Sequence, residues 1–480
     1  MNRSDSRRPF DWRLLTRDTS WVLCHRAAWS SAIAVLVLIS ASCGADADST
    51  AETLHVDAPI LSSTTSAVIV APTTLPALTA SFRGVTADTI EVGIAAVDFD
   101  ELFSLGFIDF NHGDEVAIWE ALIAQVNGAG GIHGRTLVAT HESFLPVGSA
   151  DAEAACLRLT EDNSVFAVLG LWIGDSVLCL TETHETIHVG HLMRQEWIDR
   201  SIATLASPDI SEERELQALL EVLLATRRLD ARTIGVLTHT NAESSVDRVV
   251  RPFVEAKGLS LGTVGVLADT TGDQEEIQRQ VDVFIERWQT DGADFLLVVG
   301  NNGVGSIGRI RAAMGPIDVA VPDAKTFQQI FGGAPEGERD DFDGVLTIAG
   351  LSPTNGEQFD EPLLHECIET VEAAIPGLTV VPTGDLEGPD DWFAGIRDAC
   401  SALAVFVAAA TAAGPELTND SFRVGLESLG SIALPGQAFA SFGPGKYDGE
   451  DGFRLVSFDP SDGAEGSFTP LTEIVDTATG

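Results

Sequence analysis

The chain has 480 residues, 45% of them hydrophobic, with 28 Lys and Arg against 72 Asp and Glu and a net charge of -44. That length allows about two to three domains. A surface this acidic repels phosphate backbones and anionic headgroups, which argues against nucleic acid as a partner; the charge itself serves solubility first.

Arg3, Arg7, Arg8, Arg13, Arg17 and Arg26 precede an apolar run from Ala27 to Ile39 that only Ser30 and Ser31 interrupt. The run is too short against the roughly 20 residues that span a bilayer, but it has the length and flanks of a signal-peptide core. Ser40-Ala41-Ser42 and Cys43 follow, which resembles a bacterial lipoprotein signal with Ser40 where Leu is usual. Ser6-Arg7-Arg8-Pro9-Phe10 has a twin-arginine pattern but stands far from the apolar run. Residues 1–42 are therefore expected to be a signal peptide and 43–83, rich in Ala, Ser, Thr and Pro, an acylated Cys with a flexible tether. The body would be exported and held at the outer face of the membrane by a lipid on Cys43.

Nearly continuous apolar runs then alternate with stretches of helical period. Strands are predicted at Glu91–Val97, Val165–Leu171, Ile187–Leu192, Thr233–Thr238, Gly262–Leu267, Phe295–Val299, Val319–Val321, Gly344–Ile348 and Phe453–Phe458. Continuous apolarity is what strands covered on both faces show. Val116, Trp119, Leu122, Ile123 and Val126 would line one helix face, and Ile277, Val281, Phe284, Ile285 and Trp288 another. Asp209 with Glu212 reads as an N-cap pair, and Gly258 as a helix stop. Such alternation makes doubly wound parallel sheets, and its extent calls for two lobes. The tail 459–480, rich in Gly, Ser and Asp, is expected to fray.

After the signal, Cys156, Cys179, Cys367 and Cys400 form an even set in an oxidising compartment, which allows three pairings. The sequence-local choice is Cys156 with Cys179 and Cys367 with Cys400.

Gly84-Val85-Thr86-Ala87-Asp88-Thr89-Ile90-Glu91-Val92-Gly93 resembles the entry strand of the Leu/Ile/Val-binding family of type I periplasmic binding proteins. Val126-Asn127-Gly128-Ala129-Gly130-Gly131-Ile132-His133-Gly134-Arg135-Thr136-Leu137 is similar to that family's helix end, Gly-Gly turn and return strand. The resemblance covers about Gly84 to Phe458. It implies an α/β fold of two doubly wound Rossmann-like lobes joined by a three-strand hinge. The N-lobe would take 84–206 plus 350–440, and the C-lobe 207–349 plus 441–458. Its partners would be a small-molecule ligand and ABC permease subunits, with the binding protein itself a monomer and no cofactor needed.

Ligands of open α/β sheets sit beyond the carboxyl ends of strands. The turn Trp172-Ile173-Gly174-Asp175-Ser176, where the resembling family places carboxylate-binding hydroxyls, makes Trp172, Gly174, Asp175 and Ser176 candidate contacts. Asp175 would face an ammonium or cap its own helix. His191, Leu192 and Met193 end the next strand and are bulkier than the small residues and Thr found there in relatives. Glu243, Asn301 and Asn302 fall where relatives carry aromatic clamps, and the chain's single Tyr, Tyr447, lies elsewhere. Asn301-Asn302-Gly303 reads equally as a turn. Asp323 would face an ammonium or lie in a solvated loop.

His184-Glu185-Thr186-Ile187-His188 is a literal H-E-x-x-H, with His191 nearby. On a helix it would hold Zn²⁺. Its β-branched residues place it instead where a helix gives way to a strand, and residues four apart on a strand lie about 13 Å apart. No G-x-S-x-G elbow and no P-loop occurs, so no residues support an enzyme. The expected function is solute binding for an ABC importer by hinge closure, with a ligand-sensing receptor as alternative and a zinc hydrolase through His184, Glu185 and His188 as a remote one. The ligand class stays open among amino acids, amides, urea-like compounds and small carboxylates.

Overall fold

The structure is a computed structural model describing residues 78–478 except 109, 192, 269–273, 333–335, 355 and 463–465. The signal peptide, Cys43 and most of the tether lie outside the described residues. The last tether residues do not behave as a spacer. Ser81 donates from its hydroxyl to the Leu417 carbonyl, Arg83 to the His184 carbonyl, and Phe82 meets Phe166 edge-on. Each has a side-chain partner on the body, which a free linker lacks.

The first sheet has the order β2-β1-β3-β4-β5, all parallel: β1 Thr89–Val97, β2 Thr136–Phe144, β3 Ala167–Gly170, β4 Ile187–Val189 and β5 Leu205–Ala206. One face carries α1 Phe99–Ser104, α3 Ala150–Leu157 and α4 Gln195–Arg200, with Leu102, Ala155, Cys156 and Trp197 packed among Val97, Val168 and Leu205. The other carries α2 Glu115–Gly128. Its Ile118, Trp119, Leu122 and Ile123 are buried, whereas Val116, assigned to this face by periodicity, is 48% exposed. A first-turn position lies at the end of the covered stripe, where the sheet no longer reaches. Gly130, Gly131 and Gly134 adopt φ of 106°, 65° and 86°, so the return into β2 depends on left-handed backbone that glycine takes without strain.

The chain then passes to a second sheet, ordered β7-β6-β8-β9-β10 and parallel: β6 Thr233–His239, β7 Ser260–Leu267, β8 Phe295–Val298, β9 Asp318–Ala320 and β10 Leu346–Ala349. In β8, Phe295 and Leu297 face α5 Glu212–Ala225 and α7 Arg251–Lys257. Leu296 and Val298 face α8 Gln274–Asp291, α9 Ile307–Met314 and α10 Ala324–Gly332. Two-sided burial is why these strands read as unbroken apolar runs. The α8 face is as expected, with Val281, Ile285 and Trp288 buried and Ile277 and Phe284 packed against them. Gly258 ends α7 at φ 65°. Asp209 does not cap α5; Ser211 occupies that position, and the Asp209 carboxylate is engaged by His191.

From β10 the chain returns to the first sheet as α11 Pro362–Ala374, α12 Trp392–Ala413 and α13 Asn419–Glu427. Helix α12 is apolar enough for a membrane span by composition, but 72% of its most apolar window is buried against β1, β3 and the flanking helices. A small ribbon of β11 Gly430–Ser431 and β12 Ser441–Phe442 precedes the third passage. There β13 Gly452–Asp459 joins the second sheet antiparallel to β10. The tail is not frayed: β14 Ser467–Pro470 and β15 Val475–Asp476 both pair with β13. The reason is Phe468, which packs at 5.1 Å from Phe458 and 6.2 Å from Phe327, an anchor that the polar composition around it concealed.

Cys156 is bonded to Cys179 and Cys367 to Cys400. The first bridge ties α3 to the segment before β4, and the second ties α11 to α12.

Candidate functional site

In a 2-1-3-4-5 sheet the connections leave β1 and β3 in opposite directions, so a crevice opens beyond their carboxyl ends. A cavity lies there. Ala95 of β1 and Gly170 and Leu171 at the end of β3 form its floor, with Glu115, Ile118 and Trp119 of α2 and Gly395, Asp398 and Ala399 of α12 on its sides. His112 and His191 complete the lining, and the enclosed space is small, about 20 Å³. Gly170 has φ 110°, and a side chain there would meet the Ala95 carbonyl oxygen at 2.3 Å, so the floor excludes any other residue.

His191 is the best-tied polar group of the site. Its Nδ1 lies 3.0 Å from Asp209 and its Nε2 2.8 Å from the Asp398 carbonyl, geometry that suits donation from both nitrogens. Burial disfavours its cation, but Asp209 and Asp398 outweigh that and raise its pKa to about 9. His188 has the opposite fate: burial, against which only the Val168 carbonyl acts in its favour, lowers it to about 4. Glu115 has one ionisable partner at contact range, His112 at 3.8 Å. Burial, reinforced by Asp398, Asp100 and Asp98, raises its carboxyl to about 8.

The polar network continues across the passages between lobes. Ser207 accepts no strand of its own but bridges to Asp448, its amide donating to the Tyr447 carbonyl at 2.9 Å. Arg214 donates to Asp448 and Asp451 at 2.6 and 2.7 Å, and both aspartates are buried. Beside them stand Glu450 and Glu215. Burial raises the Glu450 carboxyl to about 8, with Asp209 adding to it and Arg397 opposing. Burial together with Asp323, Glu450, Glu212 and Asp209 pushes Glu215 well above the ordinary carboxylate range. At the rim the two halves touch through Arg194 and Glu212 at 2.8 Å and Arg248 and Asp199 at 3.5 Å.

The residues singled out in the sequence divide sharply. His191 lines the cavity, whereas Met193 is buried in the packing under α4. The polar groups of the Trp172–Ser176 turn are spent internally. Trp172 donates its indole N–H to the Ser176 hydroxyl at 3.0 Å, Asp175 accepts from the Trp197 indole at 2.8 Å, and Gly174 turns at φ 80°. Only two residues of regular α-helix, Val177 and Leu178, follow that turn before a π-helical stretch, Cys179–Thr183. Glu243 is exposed at the start of α6 Glu243–Ser245. Asn301 and Asn302 open a 3₁₀ turn, Asn301–Ser306, after β8. Asp323 follows β9 and acts electrostatically on Glu215 and Glu212. Leu192 lies outside the described residues. In the H-E-x-x-H segment, His184 ends the helical stretch, Glu185 has φ 48° and His188 sits in β4, so the motif lacks the single helical face that zinc needs.

Sequence reasoning missed Glu115, Asp398, Glu215 and Glu450. One signal was available: Arg397 and Asp398 are the only charges in α12, adjacent in an otherwise apolar helix. They pair with each other at 2.9 Å, and Arg397 also feels Asp209 and Asp391.

No protein-family model and no curated protein matches this chain. Solved structures do. An ABC transporter substrate-binding protein from Desulfitobacterium hafniense, in complex with Leu, aligns with 80% of this chain and 100% of its own at 14% identity and TM-score 0.51. A solute-binding protein from R. palustris in complex with 4-hydroxybenzoate covers 81% of this chain and 98% of its own at 14% identity and TM-score 0.52. A type 1 periplasmic binding protein from Bordetella pertussis covers 80% and 100% at 12% identity and TM-score 0.50. The chain has the type I periplasmic binding protein fold, two doubly wound lobes linked by three chain passages. In that fold it is similar to solved substrate-binding proteins of ABC transporters.

Proposed function

We propose that this chain is the extracytoplasmic substrate-binding lipoprotein of an ABC importer, anchored through Cys43, with a small polar solute as ligand. The N-lobe would comprise 84–206 plus 350–440 and the C-lobe the second sheet with its helices. The observation that carries the reading is the cavity at the β1/β3 switch point, walled by α2 and by α12, which reaches it only after the chain has crossed to the second sheet and back. Ligand bridges the lobes, water leaves, and the closed form docks on the permease. Hinge closure fits the three passages, because rotation needs backbone change only at 207–211, near 350 and near 441–451.

Thermal melting of the full chain against amino acids, amides, urea, small carboxylates and Zn²⁺ tests this. A ligand at 100 times its Kd adds about 2.7 kcal/mol to the native state, a visible rise in melting temperature. A rise with one class of solute is expected. A rise with Zn²⁺ alone, lost on adding EDTA, would sink the reading.

A further inference from the structure

The disulfide between Cys156 and Cys179 has other metal-ligating side chains around it. Its two Sγ atoms and a ring nitrogen of His184 all lie within 4.8 Å of one another. The exposed Glu161 carboxylate stands 3.8 Å from His184 Nδ1. At that distance the ring and the carboxylate are not hydrogen-bonded, so neither donor atom is occupied by the other. Among the described residues the second bridge, Cys367 to Cys400, has no such third donor. The register is repeated on the two segments: Glu161 comes five residues after Cys156, and His184 five after Cys179. Both intervals run through π-helical stretches, Arg158–Asp162 and Cys179–Thr183. Such turns are rare and frequent at functional sites. In the second, the His184 amide donates to the Cys179 carbonyl at 3.0 Å, which sets residue 184 one turn beyond residue 179. Arg83 donates to the His184 carbonyl at 2.9 Å and holds that turn from outside. A plain structural bridge needs neither the imidazole nor the carboxylate.

We propose that Cys156, Cys179, His184 and Glu161 form a redox-gated site for a thiophilic divalent cation such as Zn²⁺, closed as the disulfide and opened by reduction. His188 takes no part in it. A dithiol opens the site: the S–S bond breaks, the dithiol closes to its own disulfide, and its two protons pass to the cysteine sulfurs. Zn²⁺ then binds both sulfurs as thiolates and releases those two protons. Two thiolates, an imidazole and a carboxylate are all donors that zinc accepts in tetrahedral sites, and thiolates select it over Mg²⁺ and Ca²⁺. Zn–S bonds of about 2.3 Å at the tetrahedral angle put two sulfurs roughly 3.8 Å apart. Cysteines whose Cα atoms lie 6.3 Å apart reach that separation by side-chain rotation. The same two segments are thus tied by sulfur when oxidised and by metal when reduced. The site lies ahead of β4, whereas the solute cavity lies beyond the carboxyl ends of β1 and β3. It therefore goes beyond the solute-binding reading and does not depend on it.

The test reduces the full chain with dithiothreitol, removes the reagent without oxygen, and titrates Co²⁺ as an optical probe, then Zn²⁺ against it. One equivalent of Co²⁺ should bring sulfur-to-cobalt charge-transfer absorption and the intense visible bands of a tetrahedral site. One equivalent of Zn²⁺ should erase both, and the oxidised chain should show neither. Cys156→Ser with Cys179→Ser should abolish the signal, and Cys367→Ser with Cys400→Ser should leave it whole. His184→Ala should weaken Zn²⁺ binding by about tenfold or more, the least that loss of a supporting partner costs a zinc site. Glu161→Gln should weaken it less. Oxidised His184→Ala should keep the circular dichroism of the wild type, so that lost affinity is not confused with lost fold. Absence of the charge-transfer band at one equivalent would overturn the proposal, whether or not the reduced chain stays folded. Equal Zn²⁺ affinity in wild type and His184→Ala would overturn it by leaving the thiols as the whole site. A signal that survives Cys156→Ser with Cys179→Ser would overturn it by placing the metal on other cysteines. None of these outcomes bears on the solute titration, which uses the oxidised chain.

Discussion

Both sheets run in the same parallel order over their first five strands, and both should therefore open a crevice between the first and third. They end differently. In the first sheet Gly170 keeps the floor low and the crevice stays hollow, lined by Glu115 and His191. In the second, Gly300 at φ 82° lets the loop after β8 press onto β6, so close that a side chain there would meet the His239 ring at 2.4 Å. Gly303 packs as tightly on Leu237 and Val298. His239 Nδ1 is buried without a hydrogen-bond partner among the described residues. Identical topology thus leaves a lined cavity at the first sheet and a close-packed loop at the second. The disulfides follow the same asymmetry, since both known bridges fasten elements around the first sheet.

The largest test of that contrast is reduction. Loop entropy assigns each bridge about 3–4 kcal/mol, so dithiothreitol should loosen the first lobe selectively. Hydrogen exchange of the full chain should show β1 to β5 losing protection ahead of β6 to β10; simultaneous loss would mean the lobes share one cooperative unit. A smaller effect comes from the two glycines. Gly170→Ala and Gly300→Ala should each cost about 1–3 kcal/mol through strained backbone and contact. Only Gly170→Ala should also abolish ligand binding in titration calorimetry. Equal damage from Gly300→Ala would show that the loop after β8 is part of the site.

Smallest is the response to pH. Glu115 and Glu450 are raised to about 8 and His191 to about 9. A raised folded-state value stabilises below the unfolded one and is lost as pH climbs through the folded one. The ligand-free protein should therefore weaken between pH 5 and pH 9, by about 1–2 kcal/mol once solvent screening is allowed for. The neighbours that set this are Asp98, Asp100 and Asp398 for Glu115, and Asp209, Asp451 and Arg397 for Glu450. Glu450→Gln should flatten the decline in melting temperature; an unchanged slope would place the titration elsewhere.

The sheets were legible because a strand buried on both faces is a contiguous apolar word, and Gly130, Gly131 and Gly258 marked turns that only glycine makes cheaply. The candidate site was not, for a physical reason. Turns such as Trp172–Ser176 advertise polar groups locally, but those groups are taken up by Ser176 within the turn and by Trp197 of α4. Glu115, Asp398 and Glu450 meet through a path that leaves the first sheet and returns, and no local pattern records that meeting. His191 was found because it ends a strand, the position where strand direction itself predicts a site.

The return of α11 to α13 to a sheet already finished at Ala206 has a consequence for biogenesis. Until α12 has been threaded through, the first sheet has α2 alone on one of its two faces. The second lobe is likewise unfinished until β13 arrives near the end. Neither half can mature alone, so synthesis must nearly conclude before the crevice beyond β1 and β3 gains its α12 wall. A truncated product would be proteolytic prey rather than a half-sized stable fold.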